Sequence, residues 1–357
     1  MSFQEDTRSS VSSPTAAAPP CREAVKDDMD DSQDMPAAGP LRDILQHCQE
    51  NLLPAYQRAD AAALLLQKKY RRRALAVAIL GSAAVVLATI ELSGLVTAGW
   101  LALLEAAAAL LTVLIVLVGM GAFQKEEWLL ERYKAESLRL LKFRFLIEGV
   151  WSASPAEVQH CKDRLCDDVE EISTTTFSGL QGWVAQGTIP GVHLPPPSAS
   201  ALSPGNLEGL IRYYRRKRLH YQMAYLSKAV GRDQKRDRHT RLVGPALFFG
   251  SVAFVLAHLA VHFQPGTEGV WGKLLILVAA ALPVMGAGFR IYRAANEFAR
   301  NAARFESVHY TLCGLSERLR GVSDAPAGFR ELGFCEQTFE SDVREWMRLM
   351  VEAEWFG

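Results

Sequence analysis

His160, Cys161, Cys166 and Asp167 bring imidazole, thiol and carboxylate close together along the chain, the side chains from which a zinc or redox centre is built. Their spacing is neither that of a zinc ribbon nor that of a CxxC pair, so the plainer reading is an amphipathic helix carrying two ordinary cysteines. His258 and His262 stand one helical turn apart and share a face, which suits a metal or a titrating gate. With Gly286 and Gly288 they make the candidate pathway of a channel; histidines at a membrane interface are the simpler alternative. Glu91 and Glu105 could line the outer mouth of a pore and favour cations, or merely mark a turn between two spans. Asp167 and Asp168, with Glu170 and Glu171, read as the solvated face of a helix.

Phosphate loops of the GxxxxGK[ST] type, GxGxxG fingerprints, HExxH, GxSxG and the kinase motifs are all absent from the sequence. No enzyme, catalytic residue, cofactor or metal is therefore expected. Lys plus Arg and Asp plus Glu each number 39, giving no net charge and no case for a nucleic-acid binder. The charge is segregated into blocks separated by long apolar stretches, as lipid-spanning segments require.

Those stretches predict an all-α membrane protein whose four transmembrane helices form two helical hairpins with long cytoplasmic helical extensions. Residues 1–39, rich in Ser, Pro, Ala and Asp, lack apolar periodicity and are expected to be a disordered tail. A first unit over 40–150 holds spans at about 74–95 and 100–123. After the second span, Gln124 to Ile147 reads as an amphipathic helix with Trp128, Leu129, Tyr133, Leu138, Leu141 and Phe145 on one face, ended by Gly149. Ser154, Pro155 and Glu157 form a capping-box signature for a helix to about Ile172. The Pro-, Gly- and Ser-rich stretch from Ser173 to Gly205 then reads as a linker.

A second unit, 206–357, follows the plan of the first, with spans at about 242–263 and 270–289 and a C-terminal amphipathic helix around Trp346, Leu349, Met350 and Trp355. The shared order of helix, basic cluster, span, tight loop, span and helix points to an internal repeat. The clusters Lys68, Lys69, Arg71, Arg72, Arg73 and Arg232, Lys235, Arg236, Arg238, Arg241 precede the hairpins, whereas the outer connections hold only Lys273. By the positive-inside rule both termini are cytoplasmic. The six cysteines lie outside the apolar stretches and are expected to be reduced thiols. Small residues recur four apart at Ala78 and Ser82, and at Ala246 and Gly250, a spacing that lets helices approach closely in a bilayer.

This layout resembles a tandem form of the SLATT family, the two-transmembrane effector domains associated with SMODS and SLOG proteins. The likeness rests on the YQ-containing helix with KKYRRR before the first hairpin and EEWLLERYKAESLRLL after it. Divergent counterparts, RDQKRDRHTRL and NEFARNAARFESVHYTL, flank the second. The resemblance implies a multi-pass protein of the bacterial inner membrane that acts in antiviral defence. Such an effector oligomerises and disrupts the bilayer, as a pore or otherwise, when an upstream sensor protein or a nucleotide second messenger signals. A constitutive channel or transporter, and a non-transporting scaffold that docks a soluble partner, are the alternatives.

Overall fold

The computed structural model describes residues 27–95, 99–121, 124–152, 154–186, 204–263, 269–322 and 324–352. Among these the chain is all-helical, without a strand. The helices are α1 (Pro40–Asn51), α2 (Leu53–Leu92), α3 (Gly99–Gly121), α4 (Gln124–Trp151), α5 (Pro155–Thr174) and α6 (Phe177–Gln186). They are followed by α7 (Pro204–Tyr214), a π-helical segment (Arg215–His220), α8 (Tyr221–His262), α9 (Val270–Asn296), α10 (Phe298–Arg320) and α11 (Ala325–Glu352).

Four helical stretches among the described residues are long and apolar enough to cross a membrane: α2, α3, the stretch ending in α8, and the stretch beginning with α9. Their apolar side chains mostly find no protein cover. Leu103 is 72% exposed, Leu110 71%, Phe249 70% and Trp271 72%, far more contiguous apolar surface than a water-soluble monomer presents. Within this part α2 packs along α3, α8 along α9, and α2 also along α9. Ser251 donates to the carbonyl of Ala279 at 2.6 Å, a bond between α8 and α9 that supplies a polar partner where water is excluded.

The polar part is organised around α4, which touches α1, α2, α5, α6, α7 and α11. Here the one-sided amphipathic reading needs correction. Trp128, Leu129, Tyr133, Leu138, Leu141 and Phe145 are buried, but so are Leu140, Phe143, Leu146 and Ile147, and at about 100° per residue the buried positions run right round the helix, Lys142 and Arg144 among them. Helices pack on every side of α4, and its charges are met by partners inside the core instead of by solvent. Gly149 does not end the helix. It lies where a Cβ would sit 2.8 Å from Ile44 Cδ1, so its missing side chain lets α1 close on α4.

Ser154 caps α5 by accepting from the Glu157 amide at 3.3 Å, and Pro155 occupies the first turn. Helix α6 occupies part of the stretch read as a linker and buries Leu180 and Trp183, the latter 4.9 Å from the Tyr133 ring; residues 187–203 of that stretch lie outside the described residues. α9 and α10 are separated at Glu297, whose φ of 46° places it in the left-handed region. In α11, Met347 and Met350 are buried and Trp346 packs edge-on to Trp128 with centroids 6.1 Å apart; Trp355 is outside the described residues.

Candidate functional site

The expected disorder over 1–39 does not describe residues 27–39. The first 26 residues lie outside those described, but from Asp27 the chain is folded into the polar core, with Asp28 and Asp31 fully buried. Local carboxylate turns shape the segment. Asp27 accepts from the Met29 amide at 2.8 Å and Asp30 from the Ser32 amide at 2.9 Å, the Asx geometry that fixes a tight bend. Gln49 of α1 donates to Asp30 at 2.8 Å and accepts from the Asp31 amide at 3.2 Å. The hydrogen bond from the Ser32 amide, then that from Gln49, holds the Asp30 carboxyl below its ordinary range.

Opposite this acidic segment stand cations from two distant parts of the sequence. Lys142 of α4 lies 2.6 Å from Asp31 and donates to the carbonyls of Asp28 and Met29 at 2.8 and 2.9 Å. Lys217 lies 3.4 Å from Asp31 and 2.8 Å from Asp34, and donates to the carbonyls of Asp27 and Asp30. The Tyr213 hydroxyl donates to Asp31 at 2.7 Å, and Arg139 reaches Asp28 at 3.2 Å. Arg216 pairs with Asp34. Burial works against the Asp34 charge, but Lys217 and Arg216 outweigh it and keep its carboxyl below the usual range.

Lys217 and Arg218 are consecutive yet both buried, and they belong to the π-helical segment. Its wider winding, with bonds from i to i+5, is a local distortion that recurs at functional positions of helices. Arg218 pairs with Glu336 of α11 at 3.2 Å, and its guanidinium lies 4.0 Å from the Phe339 centroid and 4.6 Å from that of Phe143. Tyr214 donates to the same Glu336 at 2.6 Å, and Arg144 pairs with Glu340. The acidic segment, α4, the π-helical segment and α11 are therefore tied by one network of buried, paired charges.

Glu136 extends that network, pairing with Arg132 and with Arg139 at 2.8 Å. Burial pushes its carboxyl up, but Arg132, Arg139 and Arg218 prevail and hold it at about 2. A glutamate depressed in this way contributes stability that is fully present above its ordinary value near 4.5 and is lost as pH falls from there toward 2. Glu136→Gln is accordingly expected to cost about 3 kcal/mol at pH 7, a cost that disappears toward pH 2. Thermal melts of both forms in detergent across that range measure it.

Beside the network lies a cavity of about 340 Å³ bounded by α2, α4, α8, α10 and α11. Arg71, Arg139, Arg218 and Arg304 project into it, with Trp128 and Trp346 among its aromatic walls. Arg304 stands 3.5 Å from Asp342, and its NH1 nitrogen has no hydrogen-bond partner among the described residues. The volume is that of a small-molecule site, and guanidinium beside indole suits a flat anion.

The residues singled out from sequence are placed elsewhere. Glu91 is exposed at the end of α2 and Glu105 half-buried in α3, neither with an ionic partner among the described residues. The His258 and His262 rings stack with centroids 6.1 Å apart, His258 against Gly272 of α9. Gly286 and Gly288 lie at helix crossings, Gly286 near the Gly244 carbonyl and Gly288 against Ala78 and Ser82 of α2. Cys161 is buried while Cys166 is exposed and faces His47, with 3.9 Å between Sγ and Nε2. Among the described residues no three His, Cys, Asp or Glu side chains are grouped to hold a metal ion.

The buried network was missed because each half looks solvated when read alone. The usable signal was complementarity: an acid-rich DDMDDSQD and a basic, aromatic-interleaved RYYRRKRLH in one chain of zero net charge. Comparison with protein-family models, with curated proteins and with solved structures yields no match to this chain.

Proposed function

We propose that this chain is a membrane effector that receives a signal in its charged helical core and passes it to four spans, oligomerising to form a pore or otherwise perturb the bilayer. In this reading α2 with α3, and α8 with α9, enter the bacterial inner membrane as two hairpins related by an internal repeat. The core and both termini then lie in the cytoplasm, where the basic clusters hold them. The trigger is an upstream sensor or a small nucleotide, of the kind implied by the resemblance to SLATT domains, acting in antiviral defence.

One observation carries the reading: α2 and α8 run without a break from the ion-paired core into the apolar part. They hold 40 and 42 residues, about 60 Å each at 1.5 Å per residue, so each helix has one end in the core and the other in lipid, with Pro245 the one proline inside α8. The arginine-lined cavity sits at the core end of both helices, where an anion would compete for guanidinium groups already engaged by Glu136, Glu336 and Asp342. A ligand binding one arrangement of these pairs better than another biases the helices by that difference in affinity.

Inducible overexpression in a bacterium, at levels where mass action drives oligomerisation without the trigger, is expected to show depolarisation by the wild-type chain, followed with a potential-sensitive dye and by viability. The variant lacking Leu242 to Phe289 is expected to leave the potential intact. The purified chain should likewise release dye from vesicles. Normal potential and growth with inserted protein, and tight vesicles, would overturn the proposal in favour of a scaffold.

A further inference from the structure

The two basic clusters, far apart in sequence, converge on one groove of about 740 Å³ between α2 and α8. Lys68, Arg71 and Arg72 line it from one helix and Lys235 and Arg236 from the other; Tyr292 and Phe298, at the junction of α9 and α10, complete it. No carboxylate contributes to the lining. In the neighbouring core Arg139, Lys142, Lys217 and Arg218 each meet an acid. None of the five groove cations has an ion-pair partner among the described residues. Nearby acids are engaged elsewhere, Asp233 by Arg232 and Asp237 by Arg293, each pair at 2.8 to 2.9 Å. Arg71 stands in the field of two further arginines, Arg232 and Arg236, partly offset by Asp233. Five converging cations repel one another, and an anion in the groove relieves that repulsion.

The depth of the groove identifies the anion. Arg72 precedes the uncharged run from Ala74 to Ile90, and Arg236 precedes that from Leu242 to Val261 except for His258. The groove therefore lies at the polar end of two apolar helices, with Leu75, 42% exposed, on its apolar side and Arg236 over the Phe298 ring at 5.8 Å. A ligand placed there meets cations at one end and hydrocarbon at the other, as a phospholipid does when its phosphate sits at the surface of the leaflet. We propose that Lys68, Arg71, Arg72, Lys235 and Arg236 bind the phosphodiester headgroup of an anionic phospholipid and so hold the two halves of the chain together at the membrane surface. The site requires the apolar helices to lie in a bilayer, as the proposed function does, but not that the chain depolarises it.

The test uses the full chain in neutral detergent and follows its thermal midpoint with short-chain phosphatidylglycerol, short-chain phosphatidylcholine, glycerol 3-phosphate or inorganic phosphate at matched ionic strength. Phosphatidylglycerol is expected to raise the midpoint saturably by about 5 °C, the others by little. The double variant Arg71→Gln, Arg236→Gln should lose the shift, while the remaining cations of both clusters preserve orientation. Equal stabilisation by phosphatidylcholine overturns the site. An undiminished shift in the double variant overturns it too. A response to glycerol 3-phosphate as large as that to phosphatidylglycerol overturns the lipid assignment in favour of a soluble phosphate ester. Should the double variant fail to fold, the four-ligand comparison on the wild-type chain decides.

Discussion

Asp31→Ala is expected to destabilise the chain by about 3–5 kcal/mol, the range for breaking a buried ion pair by removing one member. The carboxylate is fully buried and answers Lys142 at 2.6 Å, Lys217 at 3.4 Å and the Tyr213 hydroxyl at 2.7 Å. Alanine leaves the buried Lys142 ammonium with only the carbonyls of Asp28 and Met29, while Lys217 keeps Asp34 at 2.8 Å. Chemical denaturation in micelles, followed by tryptophan fluorescence, reads the loss. Adding Lys142→Met to Asp31→Ala should recover part of it, because an absent charge needs no partner. A wild-type midpoint for Asp31→Ala would mean that residues 27–34 do not dock on the core in solution.

The second large effect is expected at Gly288. A Cβ there would collide with Ser82 Oγ and lie 3.2 Å from the Ala78 carbonyl, so Gly288→Ala forces α2 and α9 apart at a cost of about 1–3 kcal/mol, and Gly288→Leu more. Gly286→Ala is the internal control, since the nearest atoms to its added Cβ are 3.9 Å away. Ser82→Gly combined with Gly288→Ala should restore much of the loss. Melts of the four variants in one detergent separate this reading from a gating role for Gly286 and Gly288, in which both alanines would alter conductance and neither the melt.

The four apolar helices were legible because lipid imposes a composition that sequence displays directly: no charge from Ala74 to Ile90, and a single histidine between Leu242 and Val261. The capped start of α5 was legible because Ser154 and Pro155 act locally. The small pair Ala78 and Ser82 marked a close approach correctly, but its partner, Gly288, lies more than 200 residues away and no local pattern connects them. The core failed for the same reason. Glu136, Arg139 and Lys142 recur three apart, a helical spacing indistinguishable from that of a solvated face, and only residues brought in from 27–34 and 213–218 reveal that the face is inside. Charge patterning reports that ions are balanced somewhere; it does not say whether water or protein balances them.

The position of the acidic segment at the start of the described chain also sets an order of assembly. Asp31 emerges from the ribosome well before Tyr213, and Asp34 well before Arg216, a separation of 182 residues in each pair. At about 5–20 residues per second, the segment waits roughly 10–40 s for its second set of cations, while two apolar helices are made ahead of them. Until then only Arg139 and Lys142 of α4 are available to its acids. The first half of a nascent chain thus carries an open acidic arm, and closure of that arm on the π-helical segment reports that the second half has arrived.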